Sequence, residues 1–247
     1  EYFQLSTSLL QIENEFYGTI RPKQITQKGE RPLSAISARG VEYVEVRLMD
    51  LDPFSAIGIT PSTIRFLDIF LLHCLLSESP NDTPDAIAAQ SANRHSVAQR
   101  GRQPGLCLLQ DDGSHRPLTD WGHEILTACE PVAQRLDEAW PEQGGAYMQA
   151  LADARARFDN LDTTPSARMM AALSQRADQS LRGMVSDMSA VHRQQLLAAP
   201  LSLARQDSFG KMAKESFDEQ ARIEAADTGD FETWRQQYIS AIPQLDQ

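Results

Sequence analysis

The chain has 247 residues, 41% of them apolar and 23% charged, an ordinary globular composition that excludes wholesale disorder and allows one large domain or two small ones. Its 23 Lys and Arg against 34 Asp and Glu leave a net charge of −11 with no long basic run, which argues against nucleic acid but leaves room for small phosphorylated ligands. Cys74, Cys107 and Cys129 show no CxxC spacing; they suggest neither a zinc site nor a disulfide framework, fit a reducing cytoplasm, and are expected to be buried small apolar residues.

The longest apolar run, Ile69 to Leu76, contains His73 and is far too short to cross a bilayer, so no membrane is expected as a partner. No leader-like stretch precedes Leu5, and the start at Glu1 in place of Met is read as that of a fragment or a processed product.

In chain order, Tyr2 to Tyr17 reads as extended structure, with Gln11, Glu13, Glu15 and Tyr17 on one face. Ile20-Arg21-Pro22-Lys23 is expected to leave that strand, because Pro22 cannot donate to a ladder. A polar connection, Gln24 to Arg39 with Gly29 and Pro32, follows, read as either a mobile loop or a short helix near Leu33 to Arg39. Val41 to Leu48 alternates as a strand, placing Val44, Val46 and Leu48 on one face and Tyr43, Glu45 and Arg47 on the other. Two readings of that second face stay open. Glu45 and Arg47 are either a weak surface pair, or a sheet floor offering a metal-binding carboxylate and an anion-binding guanidinium.

Thr60 caps a helix from Pro61 to Leu76, whose stripe of Ile64, Leu67, Leu71 and Cys74 or Leu75, with Phe66 and Phe70 beside it, is expected to face the core, with His73 as a core or edge residue. Asp82 or Thr83 caps a further helix to Arg100, and Leu106 to Leu109 is a short strand turned around by Asp111-Asp112-Gly113. Helical periodicity then dominates: 120–139, 147–158, 166–178, 179–198, 202–226 and a last short helix from Phe231 with Trp234 as its anchor. Met169, Met170, Met184 and Met188 are read as helix-packing residues. The organisation expected is α+β: residues 1–115 a sheet region carrying the chemistry, residues 116–247 a helical support.

There is no Walker-type phosphate loop, no GxGxxG after a strand and no HExxH. Glu13, Glu15 and Glu45 among Arg21, Lys23 and Arg47 suit magnesium-bridged phosphates, the carboxylates holding a hard cation and the arginines offsetting negative charge.

Leu10-Gln11-Ile12-Glu13-Asn14-Glu15-Phe16-Tyr17, Ile20-Arg21-Pro22-Lys23 and Gly40-Val41-Glu42-Tyr43-Val44-Glu45-Val46-Arg47 with Asp52-Pro53-Phe54 resemble the bacterial glutamate–cysteine ligase family, the proteobacterial type. Similarity continues through Arg65-Phe66-Leu67-Asp68, Gly101-Arg102-Gln103-Pro104-Gly105-Leu106, Pro165-Ser166-Ala167-Arg168 and Glu224-Ala225-Ala226-Asp227-Thr228. It spans nearly the whole chain but only about the C-terminal half of the family.

The resemblance implies a glutamine-synthetase-like antiparallel sheet, present here in part, with helices outside. It implies ATP-dependent joining of the γ-carboxyl of L-glutamate to L-cysteine through γ-glutamyl phosphate, the first step of glutathione synthesis. Glu45 would then be a ligand for magnesium, with manganese as the alternative ion, and Glu13 and Glu15 weaker candidates. Arg47 would meet the phosphoryl or substrate anion, Tyr17 would donate to the cysteine carboxylate, and Arg21 and Lys23 would lie on the nucleotide side. The absent half would be a partner, and this chain alone is expected to be inactive. The alternatives are another glutamine-synthetase-like ligase with a different amine acceptor, and a non-catalytic helical domain that binds a partner protein.

Overall fold

The computed structural model describes residues 9–27 and 29–240; the part of the extended reading that begins at Tyr2 lies outside them. The described residues form nine α-helices and two two-stranded antiparallel sheets, so the expected α+β class stands, with helix dominant. The chain divides into two compact units, one made of residues 1–50 and 200–247 and the other of residues 51–199. These limits differ from a division near residue 115. The helix that follows the first sheet packs with the later helices, which draws residues 51–115 into the same unit as residues 116–199.

In the first unit, strand β1 is Ile20–Lys23 and strand β2 is Tyr43–Val46, paired as Ile20↔Val46, Arg21↔Glu45, Pro22↔Val44 and Lys23↔Tyr43. The expectation that Pro22 breaks the strand is therefore corrected. The Arg47 N–H donates to the Thr19 carbonyl at 2.9 Å, and antiparallel bonds recur at every second pair. Pro22↔Val44 thus falls at a non-hydrogen-bonded pair, where the missing N–H costs nothing.

The strand expected across Gln11 to Tyr17 is also corrected: Glu13–Glu15 is a 3₁₀ turn. The Glu15 carboxylate accepts the Gln11 N–H at 2.8 Å, and Glu15 N–H reaches the Ile12 carbonyl at 3.1 Å. Local side-chain bonds to the backbone outcompete a ladder here. Helix α1, Pro32–Arg39, separates the strands and ends at Gly40, whose φ of 76° favours glycine.

In the second unit, α2 is Pro61–Leu76, with the Thr60 hydroxyl accepting the Thr63 N–H at 3.2 Å and Pro61 in the first turn, as its sequence dictates. Its buried face is only in part the one expected. Ile69 is fully buried with Phe66 and Phe70 beside it, while Ile64 and Leu75 are exposed. A helix apolar around most of its circumference does not reveal by periodicity which face its neighbours will cover.

Helix α3, Pro84–Arg100, is capped by Thr83 and lies against strand β3, Cys107–Leu109, which pairs with β4, His115–Pro117. The Asn93 amide donates to the Leu109 carbonyl at 2.7 Å and accepts its N–H at 2.8 Å, serving as a strand partner from a helix. Helices α4, Leu118–Ala139, and α5, Ala146–Asp159, complete the core of Ile69, Leu126, Cys129, Ala133, Tyr147 and Leu151. The Asp137 carboxylate accepts the N–H groups of Tyr147 and Met148, both at 3.0 Å, and so caps α5 from the end of α4.

Helix α6, Pro165–Ser174, stops short of its expected end at Asp178, and α7 is Leu181–Ala198. Of the methionines read as packing residues, Met184 is buried but Met170 is exposed. Cys129 alone of the cysteines is buried; Cys74 and Cys107 are exposed, which corrects the expectation for those two. Burial, with a smaller contribution from Cys74, pushes the Cys129 thiol up to about 11, leaving it a packing residue and not a nucleophile. Residues 200–247 supply α8, Leu203–Ala226, exposed along its whole length, and α9, Phe231–Ser240. No helix among the described residues is long and apolar enough to cross a membrane.

Gly122 on α4 lets Phe158 of α5 lie against the helix backbone: a Cβ at Gly122 would stand 2.4 Å from the Phe158 ring, so the ring or the helix would have to shift. Gly122→Ala is expected to cost about 1–3 kcal/mol in urea unfolding, and Leu151→Ala, which empties a core position, about 2–5 kcal/mol. A Gly122→Ala midpoint equal to the parent's would show that α4 and α5 are not in this register.

Candidate active site

Cross-strand partners in an antiparallel pair share a face, so the register places Arg21 and Lys23 of β1 beside Tyr43 and Glu45 of β2, with Arg47 continuing the same side. Glu45 is the centre of that face. Its Oε2 accepts from Arg47 Nε at 3.0 Å, stands 2.8 Å from Arg47 Nη2 and lies 3.6 Å from Lys23 Nζ. Desolvation works to raise the Glu45 pKa, but the Arg47 hydrogen bond and the charges of Arg47 and Lys23 outweigh it, holding the carboxyl below the ordinary value. Tyr17 completes the group, with the Arg47 guanidinium 5.0 Å from its ring centroid.

This face carries three cations against one central carboxylate in a chain of net charge −11. Both side chains of the Glu45–Arg47 pair are partly exposed, at 39% and 27%. Such pairs contribute only about 0–1 kcal/mol, so an arriving anion could take Arg47, or a cation take Glu45, at little cost. The burial of β1 is the reverse of what its residues suggest. In β1 the apolar Ile20 and Pro22 are the more exposed positions and Arg21 and Lys23 the more covered ones. Val44 on the matching side of β2 is 43% exposed.

The other two carboxylates singled out by sequence do not join Glu45. Glu15 is turned back on the Gln11 N–H. Glu13 is held by Arg31, which donates from Nε at 3.0 and 3.1 Å to its two oxygens and from Nη2 as well. Among the described residues no group of three or more His, Cys, Asp and Glu could hold a metal ion. Glu45 fits a hard divalent cation in kind, yet one carboxylate between cations is not a complete donor set.

Arg31 and its partner Tyr238, whose ring centroid is 5.7 Å from the guanidinium, have no local sequence signal, because their partners are far away in the chain. In the second unit His192 was also missed. Its Nε2 is 2.9 Å from the Pro53 carbonyl, and Arg168 lies over the Phe54 ring at 3.8 Å, so two segments quoted above for their resemblance, 52–54 and 165–168, meet.

Against known proteins, residues 1–97 match the family model described as glutamate-cysteine ligase. The chain is 42% identical over 243 residues to a glutamate–cysteine ligase of Bordetella parapertussis, covering 98% of this chain and 45% of that protein. A relative of the same name from Azotobacter vinelandii is 42% identical over 242 residues, with the same shares covered. Residues 1–97 thus match the glutamate–cysteine ligase family, and nearly the whole chain is similar to proteins of that name. A solved glutamate–cysteine ligase of Francisella tularensis, in complex with AMP, superposes with a TM-score of 0.85 at 32% identity, over 96% of this chain and 46% of that one. The fold is therefore that of the family's solved member, and the chain spans less than half the length of the relatives it matches.

The Glu13–Arg31 pair makes a pH prediction. Burial raises the Glu13 pKa, and the hydrogen bonds and charge of Arg31 more than offset it, leaving it below its ordinary value of 4.5. A depressed carboxyl stabilises the fold fully above the unfolded value and ceases to do so as pH falls through the folded one. With side chains only 10% and 11% exposed, the pair is expected to contribute about 1–3 kcal/mol. Glu13→Gln should lower the unfolding midpoint near pH 7, and its difference from the parent should shrink steadily below pH 4.5. A difference independent of pH would show that the carboxylate charge is not what holds the turn.

Proposed function

We propose that this chain forms part of an ATP-dependent ligase that joins the γ-carboxyl of L-glutamate to the amine of L-cysteine. The observation that supports it most is the convergence of Tyr17, Arg21, Lys23, Glu45 and Arg47 on one face of the β1–β2 ribbon in a chain 42% identical to glutamate–cysteine ligases. In that chemistry ATP transfers its γ-phosphoryl group to the glutamate carboxyl. The cysteine amine then attacks the acyl phosphate, the amide bond forms and phosphate leaves.

Arg47 is assigned the phosphoryl oxygens: it already lies at a face rich in cations, and its bond to Glu45 is weak enough to exchange for an anion. Arg21 and Lys23 are assigned the nucleotide phosphates, and the exposed Tyr17 hydroxyl the carboxylate of cysteine. Glu45 is assigned a share in a magnesium or manganese ion, whose other ligands would be phosphate oxygens and groups beyond the described residues; bound there, the ion would offset charge on the transferring group. Glu13 and Glu15, occupied by Arg31 and Gln11, are weaker candidates for that ion. The remaining length of the relatives would be supplied as a partner polypeptide, and the product would enter glutathione synthesis in the cytoplasm.

A second reading has one observation in its favour. Helix α8 exposes Phe209, Met212, Phe217 and Ile223, a pattern that also suits a non-catalytic domain docking on another protein. Another amine acceptor also remains compatible with a single tyrosine at Tyr17.

The test places this chain in the Bordetella parapertussis relative in place of the matching segment and follows cysteine-dependent ADP release and γ-glutamylcysteine. Activity is expected in the chimera, lost by about 10²–10³-fold on Arg47→Ala, as when one transition-state donor is removed. The chain alone is expected to form no γ-glutamylcysteine. A well-folded chimera that is active with Arg47→Ala would remove Arg47 from the site, and one that releases ADP only with another amine would change the acceptor.

A further inference from the structure

Arg31 makes more long-range connections than its position before α1 suggests. Its guanidinium grips the Glu13 carboxylate, donates from Nη1 to the Ile239 carbonyl at 3.2 Å, and lies over the ring of Tyr238 on α9. Tyr238 in turn ends an aromatic series on that helix, with Phe231–Trp234 and Trp234–Tyr238 centroids 5.8 and 5.1 Å apart. Only 11% of the Arg31 side chain is exposed.

Glu13 is the other half of the joint. Its carboxylate also receives a backbone bond from Leu33, capping α1 from outside, because Arg31 at the cap position makes no capping bond of its own. Its carbonyl accepts the Phe16 N–H at 3.2 Å and Arg21 Nη2 at 3.4 Å. Tyr17 lies between those two donors in the chain, so the Phe16 backbone before it and the Arg21 side chain after it are tied to one residue. Gly18 leaves little slack, since even a Cβ there would sit 3.3 Å from both the Ile20 carbonyl and the Phe16 ring. The Tyr17 side chain itself is 79% exposed and gains almost nothing from packing. Its place over Arg47 is set by where its backbone is held.

We propose that Arg31 is a positioning residue: by clamping the Glu13 turn to α1 and α9 it holds Tyr17 over Arg47, which makes α9 a brace of the site. The inference rests on the ligase reading only for the meaning of the site. The clamp itself is tested without turnover, so its failure and the failure of that reading are distinguishable.

The test is ¹⁹F NMR of the full chain labelled with 3-fluorotyrosine, with its five tyrosines assigned by single Tyr→Phe variants. Arg47→Ala should move the Tyr17 resonance and fix the position of the uncoupled ring. Arg31→Gln and Glu13→Gln should each move Tyr17 towards that position, and Arg31→Gln should move Tyr238 too, while Tyr147 in the core of the second unit stays in place. If Arg31→Gln does not fold, Arg31→Lys serves the same arm, since it keeps the charge and loses the fork that reaches two partners at once. An unmoved Tyr17 with a moved Tyr238 would overturn the proposal. So would equal movement of Tyr17 and Tyr147, which would mean general loosening.

Discussion

The register of one short antiparallel ribbon governs the first unit. Pairing Arg21 with Glu45 determines that Lys23 and Arg47 flank the same carboxylate and that Tyr17, a few residues upstream, can reach the Arg47 guanidinium. A slip of one residue would send every one of these groups to the opposite side. Two residues keep the register: Pro22 tolerates only a non-hydrogen-bonded pair, and Glu13 fixes the turn that feeds β1. Charge alone would not do it, because partly exposed ion pairs are individually weak.

Strand β1 is exposed where it is apolar and partly covered where it is charged, and Val44 opposite Pro22 is exposed with it. In a self-sufficient sheet the opposite would be expected, since burying Ile20 and Val44 is favourable and covering Arg21 and Lys23 is not. Ile20, Pro22 and Val44 are therefore an apolar surface that the described residues of the first unit leave exposed. The exposed apolar residues of α8 extend the same theme within the first unit.

Much of this was legible in the residues. The caps at Thr60 and Thr83, the helix limits of α2 and α3 and the shared face of Glu45 and Arg47 all come from local chemistry, and the structure shows them. Of the expectations the structure corrects, two show the physical reason most plainly. The alternation from Gln11 to Tyr17 imitates a strand, but a carboxylate that can reach its own backbone turns it into a 3₁₀ turn. Helix α2 is apolar on several faces, and only tertiary contact selects Ile69 over Ile64. The Arg31 joint had no local signature, since its partners lie 18 and 208 residues away along the chain.

The interleaving of the units bears on how the molecule is made. Residues 51–199 form a contiguous unit that can close as soon as it leaves the ribosome, whereas the first unit needs residues 1–50 to wait for 200–247. Local, early contacts form fast, and distant ones form only after a long loop has been closed. The bond from Arg31 to Ile239 therefore belongs to the last stage of folding. Until α9 arrives, the strands that present Arg47 stand without the bond to Ile239, so on a nascent chain the candidate face would become ordered later than residues 51–199.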